Sequence, residues 1–325
     1  MARIVAALVL IVATCFVSSS LSPHHSAASA MESLYMHLMP VPLEFASSED
    51  AAHGDTAHGA ADGHGAHGDP DYVLALPLPA SMSAFANNTD AEHPSAVFTN
   101  LQLFQVLSVL LIFVLLSGVP KHIKNGKGDI ITQVFAGFAL WVRDDIVFPV
   151  MGKERGATYL PYFLMTFFFI MFMNVLGLVP GSATATASIY VTAGLALTTL
   201  FAMIGCGMYA QGPIAFWKNL VPHVPLAIWP LMFFVEVFGL MVKPIALTIR
   251  LFANMTGGHL VVLSFIGLIF TMGELSPVAG WGSAPFAVGF AIFIMIIEAF
   301  VAMLQAYIFT QLSVLFVSAS VHPEH

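Results

Sequence analysis

Midway through its longest apolar tract the chain reads Lys243-Pro244-Ile245-Ala246-Leu247-Thr248-Ile249-Arg250-Leu251-Phe252-Ala253-Asn254-Met255-Thr256-Gly257-Gly258-His259. A guanidinium, an amide and an imidazole are placed where a charge costs several kcal/mol to insert in lipid. At about 100° per residue, Glu236, Lys243, Arg250 and Asn254 share one stripe of a helix. His259 falls on the opposite side, roughly 13 Å further along the axis. Arginine stays protonated wherever it is put, because its pKa lies above about 12. It can attract a carboxylate and repel a proton, but cannot carry one.

The rest of the chain explains why such a stretch exists. With 325 residues, 58% hydrophobic and 9% charged, and a mean hydropathy of +0.87, the composition is that of a polytopic membrane protein. Cys15 and Cys206 both lie in apolar segments, so no disulfide framework is expected. The net charge of −8 is unevenly spread, for residues 31–100 hold ten Asp or Glu and no Lys or Arg. That sign argues against nucleic acid and against adhesion to anionic lipid.

Residues 1–30 start with Arg3, continue through an apolar core from Ile4 to Val17 and end at Ala28-Ser29-Ala30, the pattern of a secretory signal peptide. Residues 31–98 are rich in Ala, Gly, Pro, Asp and His, with His53, His58, His64 and His67 each followed by Gly. Imidazoles beside Asp55, Asp62 and Asp69 could ligate a metal, but no fixed ligand spacing supports a structural site. The composition fits a disordered acidic linker outside the cytoplasm better.

Residues 99–325 form the membrane domain. Leu101 to Val119 is one span, and Lys121, Lys124 and Lys127 mark its cytoplasmic end. Residues 130 to 150, with Arg143, Asp144 and Asp145, read as an interfacial helix. Spans follow at Tyr159 to Leu178 and Ile189 to Tyr209, the first ending in Asn174 ahead of Gly177 and Pro180. The tracts from about 226 to 270 and 284 to 319 greatly exceed the roughly 20 residues of an upright span. They are expected as two long, strongly tilted helices forming a hairpin, with kinks at Pro230 and Pro244 and a loop through Glu274 and Gly282. The expected fold is thus all-α and polytopic, with about five membrane-embedded helices and one interfacial helix. Outside the signal and the long helices, every Lys and Arg lands on the cytoplasmic side, which puts the N-terminus outside and the C-terminus inside.

On the last long helix Glu298 and Gln305 are seven residues apart, hence on one face, with Ala302 between them. If that face meets the preceding helix, His259 and Glu298 can approach as a proton-exchanging pair. Small residues Ala246, Ala253, Gly257 and Gly258 would admit a close partner helix. Lys243 lies either near a helix end or paired with Glu236. Asn254 and Gln305 can pack or line water, and Asn174 reads as a helix-end cap or fold element.

At these residues the chain resembles subunit a of the F-type ATP synthase membrane sector, over about residues 100 to 325. The Arg250-Leu251-Phe252-Ala253-Asn254-Met255 run is its most specific feature, supported by Asn174 to Pro180 and Glu298 to Gln305. The resemblance implies a non-catalytic stator channel without a cofactor, in a bacterial inner membrane, working against a c-ring and held by the b subunits of a peripheral stalk. It gives Arg250 the place of the family's essential arginine and Gln305 that of its helix-six glutamine. Asn254, His259 and Glu298 would belong to the proton inlet, and Glu236 would stand near the cytoplasmic outlet. Compared with many bacterial members, the acid and the imidazole look exchanged between helices. Two other classes compete: a secondary transporter clamping an anionic substrate at Arg250, and a purely structural anchor.

Overall fold

The computed structural model describes residues 2–21, 75–77, 95–97, 99–126, 129–179, 184–221, 225 and 228–321. The histidine-bearing tract from His53 to His67, the Ala28-Ser29-Ala30 site and the end from His322 to His325 lie outside the described residues. Among the described residues five helical stretches are long and apolar enough to cross a membrane.

α1 (Ala2–Leu21) packs along α2 (Asn100–Leu116), burying Ala7 and Ser18. Within 31–98, expected as unstructured, β1 (Ala75–Pro77) pairs antiparallel with β2 (Ser95–Val97), placing Leu76 opposite Ala96. These two short strands just before α2 are the one departure from an otherwise helical architecture among the described residues. α2 is closed at its start by a capping box in which the Gln102 side chain accepts from the Thr99 N–H at 2.9 Å. α3 (Val119–Asn125) continues the same span.

The expected interfacial segment is α4 (Ile130–Trp141), prolonged by a π-helical turn over Val142–Val147 and a last turn, Phe148–Met151. One side of it is buried through Ala136, Ala139, Val142, Ile146 and Val147, and the Ser318 hydroxyl donates to the Val150 carbonyl at 3.2 Å. Its polar side carries Arg143, which grips Asp144 with two bonds of 2.8 and 2.9 Å. That guanidinium holds the Asp144 carboxyl below the usual carboxylate range.

α5 (Lys153–Gly177) runs through the middle of the bundle and supplies the bulk of its core. Phe163, Phe167, Phe168, Ile170 and Met173 are fully enclosed, meeting Phe104 and Leu107 of α2 and Phe309 further along the chain. A ladder of tilted rings, Phe135 against Phe168 and Phe172, seats α4 on it. α6 (Ile189–Gln211) returns, and α7 (Pro213–Asn219) carries Lys218 in its last turn.

The last two helices, α8 (Trp229–Leu275) and α9 (Pro277–Val321), are 47 and 45 residues long. At 1.5 Å per residue each is about 70 Å, more than twice the ~30 Å hydrocarbon layer. Exposed apolar side chains run along α8 from Leu231 to Phe270 and along α9 from Phe286 to Leu315, so steep inclination is what keeps them in that layer. The expected loop through Glu274 and Gly282 is replaced by a junction of one residue, Ser276, both helices being longer than the apolar pattern alone indicated. Nor does Pro230 break a helix, since it lies in the first turn of α8, where the missing N–H has no partner to lose. Pro244 is internal, and α8 continues unbroken past it, with the Thr248 hydroxyl donating to its carbonyl at 2.9 Å.

Candidate functional site

α8 has two faces with different tasks. Leu247, Leu251 and Met255, spaced by four, are buried against the bundle and fix the helix in rotation. Arg250 therefore points away from the chain's own core, with Ile245 and Ile249 beside it, each more than half exposed. Ala246 and Ala253 are exposed on the same face, and a Cβ at Gly257 would meet nothing within 4 Å. Of the four small residues expected to admit a helix, these three look outward and Gly258 alone serves α9. Among the described residues Arg250 makes no hydrogen bond or ion pair.

Asn254 stands on the shoulder between the two faces. Its amide donates to Oε1 of Gln305 at 2.9 Å, joining the arginine face to the buried face of α9. Gln305, Ala302 and Glu298 are all buried, one below the other, as a seven-residue spacing requires. Asn174 reaches the same row from α5, donating to the Ala302 carbonyl at 3.1 Å. This is a tie between helices and no cap, for Asn174 lies wholly inside α5 and is fully buried.

His259 and Glu298 meet across the hairpin, with Nε2 3.5 Å from Oε1. That separation is too long for a direct hydrogen bond but short enough for charge to be felt and for a proton to pass after a small movement. The approach depends on Gly258, since a Cβ there would lie 2.6 Å from Glu298 Oε1 and 2.7 Å from its Cδ. Among the described residues neither carboxylate oxygen has a hydrogen-bond partner, and the same holds for Asn174 Oδ1 and Thr186 Oγ1 nearby in the fold. Acceptors and hydroxyls left in this condition inside a bundle are suited to a passing proton or hydrated ion and poorly suited to static support.

Sequence reading missed Thr184, whose Oγ1 lies 3.0 Å from His259 Nε2. It comes from the connection between α5 and α6. A Thr184-Ala185-Thr186 run beside an otherwise apolar span end was the available signal.

Lys243 and Glu236 do not pair. Lys243 Nζ stands 5.3 Å from the centre of the Phe316 ring on α9, and Glu236 is partly buried. Among the described residues no cluster of three His, Cys, Asp or Glu is arranged to hold a metal.

The sequence profile described as ATP synthase A chain matches residues 102–318. The ATP synthase subunit a of Myxococcus xanthus (strain DK1622) is 45% identical over 205 residues, covering 63% of this chain and 65% of the relative. That of Chloroherpeton thalassium (strain ATCC 35110 / GB-78) is 37% identical over 315 residues, covering 89% of this chain and 90% of the relative. That of Anaeromyxobacter dehalogenans (strain 2CP-C) is 41% identical over 217 residues, with coverage of 65% and 54%. The chain thus spans only 65% and 54% of the Myxococcus and Anaeromyxobacter relatives.

Proposed function

Because this chain belongs to the ATP synthase A chain family, we propose that it is the stationary half of a rotary proton path, lying against a ring of c subunits in a bacterial inner membrane. Protons enter from outside through the polar column of His259, Glu298, Asn254 and Gln305 and protonate a carboxyl group on the ring. The neutral carboxyl can then face lipid, because desolvation penalises only its charged form. After nearly a full turn it meets a second opening near Glu236 and releases its proton to the cytoplasm. Arg250, between the two openings, favours the ionised carboxylate and repels a proton that would leak straight across. The chain makes and breaks no covalent bond of ATP; it positions charge, and the b subunits of a peripheral stalk hold it against rotation.

One observation carries this reading. Arg250 projects from a face of small and apolar residues, with no hydrogen-bond or ion-pair partner among the described residues, while the polar column runs behind it in the hairpin. An uncompensated guanidinium in an apolar face calls for a carboxylate from another molecule. A substrate clamp would need an enclosed site, and this face is open. Lys121, Lys124 and Lys127, which follow the first span, support an outer N-terminus and an inner C-terminus.

Arg250→Ala is expected to abolish proton-coupled ATP synthesis while leaving an assembled complex that leaks protons, and Arg250→Lys should not restore coupling. Both are read by ATP synthesis in energised vesicles and by proton flux through the membrane sector. Wild-type coupling in either variant removes the arginine from the mechanism. Transport by the purified chain alone, without a ring, would favour a transporter instead.

A further inference from the structure

Thr184 is 2% exposed and sits just before the 3-10 turn Ala185–Ala187, with its Oγ1 between two partners. One is the Gly177 carbonyl at 3.3 Å, the other His259 Nε2 at 3.0 Å. The same Nε2 is the atom that faces Glu298 Oε1 at 3.5 Å. A threonine hydroxyl has one hydrogen to give and lone pairs to receive. When Nε2 carries a hydrogen, the hydroxyl can accept from it and give its own to Gly177. When Nε2 is bare, the hydroxyl can turn and donate to the ring.

Resting on the proton path proposed above, we propose that Thr184 is a positioning residue for proton exchange between His259 and Glu298, its hydroxyl turning between the Gly177 carbonyl and His259 Nε2 as the proton leaves and returns. In the forward step the Nε2–H bond of an imidazolium breaks and an O–H bond forms on Oε1 of Glu298. The imidazolium becomes a neutral imidazole and the carboxylate a carboxylic acid, so the pair loses both charges together and nothing else changes hands. The lone pair uncovered on Nε2 is met at once by the Thr184 hydrogen. The ring is thereby held facing the glutamate in both protonation states, whereas a bare Nε2 in an enclosed site would lack a partner.

The local packing favours a threonine in this role. A Cβ at Gly177 would lie 2.9 Å from Thr184 Cγ2, so the methyl group seats on the glycine. With the methyl seated, branching at Cβ restricts where the hydroxyl can point. That restriction aims it at the ring.

The test uses Thr184→Val, similar in shape but without the hydroxyl, in the assembled synthase. Passive proton conduction through the membrane sector is expected to fall about tenfold, the scale of one lost buried hydrogen bond. The 15N resonances of the His259 imidazole should shift with it, and Thr184→Ser should stay within about twofold of wild type in both readouts. If the valine variant does not assemble, Thr184→Cys replaces it and should conduct less than wild type. Wild-type conduction in the valine or cysteine variant overturns the proposal. So does an equal loss in the serine variant, or a loss with the imidazole resonances unmoved, which would make the hydroxyl a mere strap on Gly177. Wild-type conduction in His259→Ala would instead sink the proton path itself, whatever Thr184 does.

Discussion

Arg250 and His259 belong to one helix, nine residues apart, yet their surroundings could hardly differ more. Arg250 faces outward among Ala246, Ile249 and Ala253 with no partner among the described residues, while His259 faces inward onto Glu298 and Thr184. The first is a fixed charge whose counterpart must come from elsewhere. The second is a titratable group supplied with two neighbours from other elements. A helix that turns 100° per residue can serve both tasks, because nine steps bring it half a turn round. Between them, Asn254 and Gln305 make the hydrogen bond that crosses from one environment to the other.

The contrast predicts that substitutions near His259 act within the chain and substitutions near Arg250 act through a partner. The largest effect should come from exchanging the pair. His259→Glu and Glu298→His alone should each lower passive proton conduction at least about tenfold, and the double exchange should recover much of it, since coupled groups are non-additive. Equal loss in all three variants would deny that the two groups communicate.

A smaller effect is expected one residue away. Gly258→Ala must displace the Glu298 carboxyl, the flexible end of its side chain, from His259, so conduction should fall while thermal stability changes little. Gly257→Ala meets nothing among the described residues, and the isolated subunit should melt as wild type does. A loss of coupling in Gly257→Ala that appears only in the assembled complex would locate the partner on that face; a stability loss in the isolated subunit would refute the division into two faces. Smallest of all, Lys243→Met removes the cation over Phe316 and should destabilise the hairpin by only about 0.5–1 kcal/mol, read as a slight drop in melting temperature.

Much of this site could be read before any coordinates, and the reason is helical arithmetic. Spacings of seven and nine residues decide which side of a helix a group occupies, which is why Glu298 and Gln305 fall together and Arg250 and His259 fall apart. Periodicity is silent about groups outside helices. Thr184 reaches His259 across 75 residues from a connecting segment, a contact that no local pattern encodes. The choice of Phe316 over Glu236 by Lys243 was hidden for a related reason. Residues two turns apart on a helix were visible as a pair, but the facing helix offered a ring whose place depends on the register of the hairpin. The same register made the junction at Ser276 illegible, because apolar tracts fade before their helices end.

That junction has a mechanical consequence. With Ser276 alone between them, α8 and α9 have no slack with which to slip past one another by a turn. A sideways push on the Arg250 face is therefore handed to α9 through Asn254 and Gln305, and onward to α5 through the Asn174 amide on Ala302. The hairpin behaves as a braced strut, able to resist torque at the very place where the Arg250 guanidinium stands.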